Sequence, residues 1–540
     1  MARTPILRGL RQLVREQRAA RACGLSLRHW REQGAEHPLR GNLTRRDFLA
    51  GLAAISVAGA FPRFAGAARG APRIVIVGGG LAGLTCALTL ADRGIRATIH
   101  EASSRIGGRI LSNTRYWDQG QVSEWGGELI DTGHRTIRAL ARRFDLPLDD
   151  LLAAQPTDSQ DTYSLMGGYY PKAQADADFA PVFDAVTADL DAAGYPTTFD
   201  HSTAAGRRLD RMNLYQWIET RVPGGHRSAM GQLLDLAYTV EYGADTTRQS
   251  ALNLVYLLGY QPNNKELAVF GESDERFHIR GGNAQLPRAM ARYLGDSAFE
   301  MNSRLLRIRQ SAAGCYELTF QTAGGTRNIV ADYVVLALPF SVLRHIDYRQ
   351  ADFDARKHQA IQELGRGRNA KTQLQFNTRI WHRRGPWPGI SNGSSYSDSG
   401  YQSGWDVTRA QAGRAGIMNF YSGGSVTLAM QTTCAFATAA NATAYADALT
   451  TLQRAELVFP GLTAQWNGKA TQSIPHLNPL MRASYAFYKP GQYTAFGGYE
   501  GARQGGVLFC GDHTTQDYQG FMEGAAFEGR RAARELIRLL

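Results

Sequence analysis

The sequence predicts an α/β fold in which a parallel-sheet, dinucleotide-binding layer is interleaved with a second α+β domain of mixed sheet and helix. Three observations predict it. A β-branched run, Arg73-Ile74-Val75-Ile76-Val77, feeds a glycine-rich turn and then an apolar helical stretch, the order a strand–turn–helix unit requires. The chain has 540 residues, 44% hydrophobic, 10% aromatic and 20% charged, enough core for more than one domain and too apolar for disorder. No repeat and no long linker divides it, so the two domains have to alternate along the chain.

Charge explains the first segment. Lys+Arg 60 against Asp+Glu 48 leaves +12, a balance that invites a nucleic-acid or anionic-membrane partner. Residues 1–66, however, hold twelve Arg, no Lys and four acids (Glu16, Glu32, Glu36, Asp47), a net +8 that leaves only +4 elsewhere. No nucleic-acid partner is therefore expected of the body. Thr44-Arg45-Arg46-Asp47-Phe48-Leu49 is a twin-arginine pattern, followed by an apolar stretch at 48–61 broken only by Ser56. That stretch is short of the roughly 20 residues of a stable membrane span. The small-x-small site Ala65-Gly66-Ala67 follows. Together these read as a leader, residues 1–67, with a long basic n-region, addressed to the twin-arginine (Tat) export machinery and a periplasmic or secreted destination. A basic amphipathic arm lying on a membrane or RNA is the alternative for the same residues. The cysteines at 23, 86, 315, 434 and 510 show no CxxC spacing and no clustered His. No disulfide framework and no metal site is expected, and Cys86 and Cys510 read as small buried hydrophobes.

Next comes the dinucleotide unit. Gly78-Gly79-Gly80-Leu81-Ala82-Gly83 is G-x-G-x-x-G, opening an apolar helix; a second strand, Ala97-Thr98-Ile99-His100, then delivers Glu101. Gly78 allows the tight turn, Gly80 the approach of a pyrophosphate, and Gly83 close helix–strand packing. The helix N-terminus offers free N–H groups to phosphate, and Glu101 stands where an acid binds ribose hydroxyls. This is a Rossmann-like arrangement. Ser104-Arg105-Ile106-Gly107-Gly108-Arg109 and Trp125-Gly126-Gly127-Glu128 follow; glycine pairs let main chain approach a ligand, and arginines neutralise diphosphate.

With these motifs in that order, the sequence resembles the flavin amine oxidase superfamily, which includes monoamine, polyamine and L-amino-acid oxidases. The resemblance spans roughly residues 73–540 and implies FAD rather than NAD. It implies FAD contacts at Gly78, Gly80, Leu81, Ala82, Gly83, Glu101, Ala102, Arg105, Gly108, Arg109, Gly126, Gly127 and Glu128. His278-Ile279-Arg280-Gly281-Gly282-Asn283 is similar to the segment returning the chain to the FAD domain, and Ser303-Arg304-Leu305-Leu306 to the strand touching adenine through Leu305. Ala331-Asp332-Tyr333-Val334-Val335-Leu336 is similar to the strand closing that domain. Cys510-Gly511-Asp512-His513 and Gly520-Phe521-Met522-Glu523-Gly524 resemble the last FAD motif, implying contacts at Gly511, Asp512, Phe521 and Met522. There Asp512 replaces the usual Glu, and a helix N-terminus faces the flavin. The expected division is an FAD-binding domain at 73–135, 275–345 and 480–540 and a substrate domain at 136–274 and 346–479. Helical spacing marks 138–144 and 250–258, and residues 163–170 look turn-like.

The resemblance also implies a catalytic set: Lys371, on an alternating strand pattern, and Tyr485 with Phe521 as an aromatic pair before the flavin. Ser484 stands where monoamine oxidases carry a flavin-linked Cys, so FAD is expected to be non-covalent. The expected reaction is hydride transfer from the amine α-carbon to flavin N5, giving an imine that hydrolyses to aldehyde or ketone, with O2 reduced to H2O2 or a periplasmic electron carrier in its place. The substrate is a small-molecule amine or amino acid. No Arg follows the second glycine pair until Arg135, and Glu128 would repel a carboxylate, which favours a primary amine or polyamine. Glu128 contacting backbone or FAD, and a carboxylate-binding Arg from 200–260, stay open. An L-amino-acid oxidase is the alternative enzyme, and a flavin-binding protein without turnover the alternative class. A homodimer is allowed.

Overall fold

The structure, a computed structural model, describes residues 71–263 and 266–540; the expected leader lies outside the described residues. Ile74–Val77 is the middle of five parallel strands, ordered Val507–Phe509, Tyr333–Leu336, Ile74–Val77, Thr98–His100, Phe299–Glu300. All four of its residues are buried, as a strand covered on both faces must be. One face packs Ile76, Ile99, Val335 and Leu508 against Leu84 and Leu88 of the helix Leu81–Ala91 and Ala533 of the last helix, Met522–Leu539. These two helices meet closely: a Cβ at Gly529 would lie 2.2 Å from the Ala82 carbonyl oxygen. The other face joins Val75 and Val77 to Leu305, Tyr316 and Phe320. Those three belong to a smaller sheet of Gly325–Ala331, Tyr316–Thr322, Arg304–Gln310 and Asp347–Gln350.

The second layer is an eight-stranded mixed sheet, ordered Phe436–Thr438, Trp466–Ser473, Asn369–Phe376, Gly416–Gly423, Ser403–Asp406, Ile390–Ser397, Ser159–Leu165, Gly168–Tyr170. Only Ile390–Ser397 and Ser159–Leu165 run parallel. Leu374, Phe376, Met418 and Phe420 pack its apolar face onto Leu452 and Phe459. Helices Lys172–Ala193, Ala204–Arg211, Leu214–Arg221, Ala229–Tyr242 and Ala251–Leu258 build the helical part. The last begins at Ser250, whose hydroxyl accepts the Leu252 N–H, an N-cap that starts a helix.

One expectation changes. Residues 163–170 form a hairpin, Ser159–Leu165 with Gly168–Tyr170, because Tyr163, Leu165 and Tyr170 alternate into the core. Only the tip, Met166 and Gly167, takes positive φ (55° and 78°), and the tip alone carries the turn signal. Along Asn369–Phe376 the polar–apolar alternation is real, yet all eight residues are buried. Its polar side faces protein rather than water: Gln375 donates to Gln121 Oε1, and Gln373 accepts from the Ser123 hydroxyl.

Candidate functional site

The described residues line a cavity of about 610 Å³ that runs from the glycine turn to Lys371. At its first end two glycine loops lie on one another. Gly107 N–H donates to the Gly79 carbonyl at 2.8 Å, and a Cβ on Gly108 would stand 3.3 Å from Gly80 Cα. A Cβ on Gly80 would find only Gly108 Cα at 3.9 Å, so bare backbone is presented to the cavity. Gly78 holds φ +109° against the Ala337 carbonyl oxygen, 2.7 Å from its would-be Cβ, a position for glycine alone. Glu101 Oε2 accepts Gly79 N–H, and Oε1 accepts the N–H and hydroxyl of Ser103, each at 2.8 Å. With up to four acceptor sites, the carboxylate keeps room for a hydroxyl. Arg105 donates to the Gly108 carbonyl at 2.6 Å, and burial holds its guanidinium below its ordinary value. Arg109 is spent differently: it forms a bidentate pair with Asp512 and donates to the Ser484 carbonyl. Its charge is balanced before any diphosphate arrives.

The other end is a wall built by strand register. Lys371 and Tyr421 are cross-strand partners, as are Tyr421 and Ser403. Lys371 Nζ meets Glu128 Oε2 at 2.5 Å and the Gly126 carbonyl at 2.9 Å, while Glu128 Oε1 accepts Trp405 Nε1 at 2.9 Å. Burial pushes the Glu128 carboxyl up, but the Lys371 ammonium and the bonds from Lys371 and Trp405 outweigh it and hold it below the carboxylate range. Trp405 meets Tyr421 edge-on at 5.4 Å, and Tyr421 shares a 2.8 Å hydroxyl contact with Tyr485, which donates to the Val240 carbonyl. Phe521 caps the helix Met522–Leu539 and packs on His134 at 5.1 Å. That helix is anchored by Glu523, whose carboxylate accepts the N–H groups of Thr136 and Ile137, the first turn of the helix Arg135–Arg143.

Between these ends the cavity is acidic. Glu241 and Glu275 line it. Burial pushes Glu241 up to about 7. Burial, then the neighbouring Asp131 and Glu241 carboxyls, push Glu275 up to about 8. Among the described residues neither side chain has a hydrogen-bond or ion-pair partner. Both are enclosed by protein yet open to internal space, the setting in which a carboxyl stays protonated until a cation reaches it. Arg409, 6% exposed, lines the same space and gives Nε to the Asp406 carbonyl.

Of the residues singled out in the sequence, Lys371, Tyr485 and Phe521 line this cavity with Gly78, Gly80, Leu81, Ala82, Glu101, Ala102, Arg105, Gly108 and Arg109. Gly126, Gly127, Glu128, Leu305, Gly511, Asp512 and Met522 line it too. Gly83 does not; it lies beneath the turn, where a Cβ would be 2.0 Å from the Gly78 carbonyl oxygen. Two expectations about substrate are corrected. Glu128 is not a free acid, being consumed by Lys371 and Trp405. The lining residues from 200–260 are Val240, Glu241 and Tyr242, so that stretch brings an acid and no Arg; Arg409, from outside it, lines the cavity. Sequence reasoning missed Trp405, Tyr421, Glu241, Glu275 and Arg409. Glu241 alone left a signal, an acid in the apolar last turn of the helix Ala229–Tyr242.

The cradle fits a flavin dinucleotide: exposed glycine backbone at a helix N-terminus for the diphosphate, Glu101 for ribose, and a space ending at Lys371, Tyr485 and Phe521. Comparisons with known proteins agree. A family described as "Flavin containing amine oxidoreductase" matches residues 81–537. An L-amino-acid oxidase of Pseudechis australis is 24% identical over 486 residues, covering 86% of each chain; one from Daboia russelii is 24% identical over 489 residues, covering 86% of this chain and 89% of its own. Among solved structures, putrescine oxidase bound to putrescine superposes with TM-score 0.72 at 19% identity, covering 86% of this chain and 99% of that one. Cyclohexylamine oxidase from Brevibacterium oxydans IH-35A gives TM-score 0.72 at 18% identity, over 87% and 99%.

Proposed function

The chain belongs to the flavin-containing amine oxidoreductases, and from that premise we propose that it binds FAD non-covalently and oxidises amines carrying a second cationic group. One observation carries the substrate reading: Glu241 and Glu275 line the cavity with Tyr421 and Tyr485 and form no ion pair among the described residues, the Arg409 guanidinium acting on Glu275 less strongly than the neighbouring Asp131 and Glu241 carboxyls. A bound ammonium would ionise them and gain their charge in a low-dielectric space, whereas a substrate carboxylate would face two acids.

When bound, FAD supplies the two-electron acceptor for hydride leaving the amine α-carbon. The chain's own groups do the rest. The glycine turn and Glu101 would hold the dinucleotide. Glu128 and the Gly126 carbonyl fix the Lys371 ammonium at one place on the wall, and the Trp405–Tyr421–Tyr485 run presents apolar ring surface that excludes water from the reacting carbon. The oxidised product is an imine, which water hydrolyses to aldehyde or ketone.

Arg409 supports a second reading, an L-amino-acid oxidase, because a guanidinium in the same cavity could bind an α-carboxylate; the curated relatives named above point the same way. Peroxide release from the matched pairs cadaverine/lysine and tyramine/tyrosine decides. We expect cadaverine to show the highest kcat/KM; a preference for lysine over cadaverine would transfer the assignment to the amino-acid reading. For residues 1–67 the twin-arginine motif supports Tat export. Replacing Arg45 and Arg46 by Lys should leave the protein in the cytoplasm of a Tat-competent bacterial host, and unchanged export would refute the leader.

A further inference from the structure

A second cavity, of about 210 Å³, shares no lining residue with the first. Five cationic side chains line it: Arg248, Arg344, Arg366, Arg368 and Lys489. Their convergence follows from topology. Arg366 and Arg368 are two residues apart on an extended segment, which places them on one side. Gly365–Arg366 pairs antiparallel with Ala486–Phe487, three residues before Lys489. Arg368 N–H donates to the Gly243 carbonyl at 2.7 Å, tying this segment to the turn that holds Arg248.

Negative charge there is scarce. The lining acid is Asp245, and its Oδ1 already accepts the N–H and hydroxyl of Ser425. Glu363 lies nearby and takes a hydrogen bond from Gln359. No salt bridge joins any of the five cations to an acid among the described residues. Arg344 has its plane fixed by the Phe340 and Leu364 carbonyls at 3.1 and 3.0 Å, which leaves other N–H groups uncommitted. The cations feel one another. Burial, then Arg366, brings Arg344 down to about 10. Burial, then Arg366 and Arg248, lowers Arg368. Burial, then Arg344 and Arg248, lowers Lys489, against the opposing pull of Glu363.

We propose that this cavity is a binding site for a small soluble phosphate-bearing anion, outside the amine-oxidising cavity. Forked guanidiniums suit phosphate oxygens better than a single carboxylate, and the cavity is sized for a phosphoryl group with a short substituent. It is concave, and four chain segments supply its cations, unlike the flat or striped surface that tracks a membrane or a nucleic acid.

The test is calorimetric titration of the flavin-loaded full chain with inorganic phosphate, against chloride at matched ionic strength, so that the dinucleotide phosphate site is already filled. Saturable binding of one phosphate per chain is expected, weakened about tenfold in Arg248→Gln/Arg366→Gln. Both replaced residues are exposed and lie outside the first cavity. If that variant loses its flavin, Lys489→Gln alone should still weaken phosphate about threefold. Three results overturn the proposal: heats that follow ionic strength alone, phosphate binding unchanged in the variants, or retention on phosphatidic-acid vesicles or an oligonucleotide that phosphate fails to displace.

Discussion

Removing either half of the Glu128–Lys371 pair should cost more than removing both. The two groups meet at 2.5 Å with side-chain exposures of 6% and 10%. Breaking a buried pair leaves an uncompensated charge at about 3–5 kcal/mol; cavity water reaches this site, so about 3 kcal/mol applies. Unfolding roughly 470 residues at ~2.1 cal/mol/K each gives an entropy near 1 kcal/mol/K, hence a fall in Tm of about 3 °C for each single variant. Glu128→Gln keeps an acceptor for Trp405 Nε1, and the Gly126 carbonyl still accepts from Lys371, so the loss there is one of charge. In Lys371→Met the burial that raises Glu128, the largest single influence on it, is opposed only by the Trp405 hydrogen bond and the His278 ring. The sign of its pH contribution then reverses. With Lys371 present, the folded carboxyl lies below its unfolded value, and stability is lost as pH falls through the folded pKa. Without Lys371 it lies above, and stability is lost as pH rises through it. The double variant Glu128→Gln/Lys371→Met buries no charge and should recover more than about 3 °C of the summed loss, ending above either single variant. Differential scanning fluorimetry between pH 5 and 8 measures all four proteins. Single-variant losses that add within about 0.5 kcal/mol, with no change in pH slope, would refute the buried-pair account.

Glu241→Gln/Glu275→Gln should raise KM for cadaverine about 100-fold, since one ammonium–carboxylate pair at ~5 Å and an effective dielectric near 20 is about 3 kcal/mol; tyramine should change far less. Because folded Glu275 sits near 8 and Glu241 near 7, both above the unfolded value, ligand-free stability should fall as pH rises from about 4.5 through 8. Glu275→Gln should flatten that fall in a Tm-against-pH series. Gly529→Val should lower Tm by a few degrees and release flavin, because its side chain enters the 2.2 Å gap to the Ala82 carbonyl oxygen and overpacking costs about 1–3 kcal/mol or more; a variant with normal flavin content and Tm would refute that reading of the helix contact. Acid precipitation should leave the flavin in the supernatant, since Ser484 offers no thiol; flavin retained in the pellet would contradict non-covalent binding.

The local parts of the fold were legible because each is written in consecutive residues. Ile74–Val77, the glycine turn and Leu81–Ala91 form one strand–turn–helix sentence, where φ and close backbone approach restrict the choice to glycine. The helices Arg135–Arg143 and Ala251–Leu258 were legible from apolar spacing. Residues 163–170 misled because a two-residue tip outweighed the alternation on either side. Lys371 was legible only by resemblance, since nothing in its strand distinguishes a buried polar face from a solvated one.

The sequence by itself determined the fold class and the glycine cradle, since backbone conformation and hydrophobic period act over a few residues; the cavity end at Lys371, Tyr485 and Phe521 came by resemblance. Tertiary structure decided how charges are spent. It joined Arg109 to Asp512 across 403 positions and Lys371 to Glu128 across 243, and left Glu241 and Glu275 without an ion pair among the described residues. An ionisable group's role depends on which charges and how much water lie within a few ångströms of it, and sheet register and helix packing set those neighbours between segments far apart in the chain.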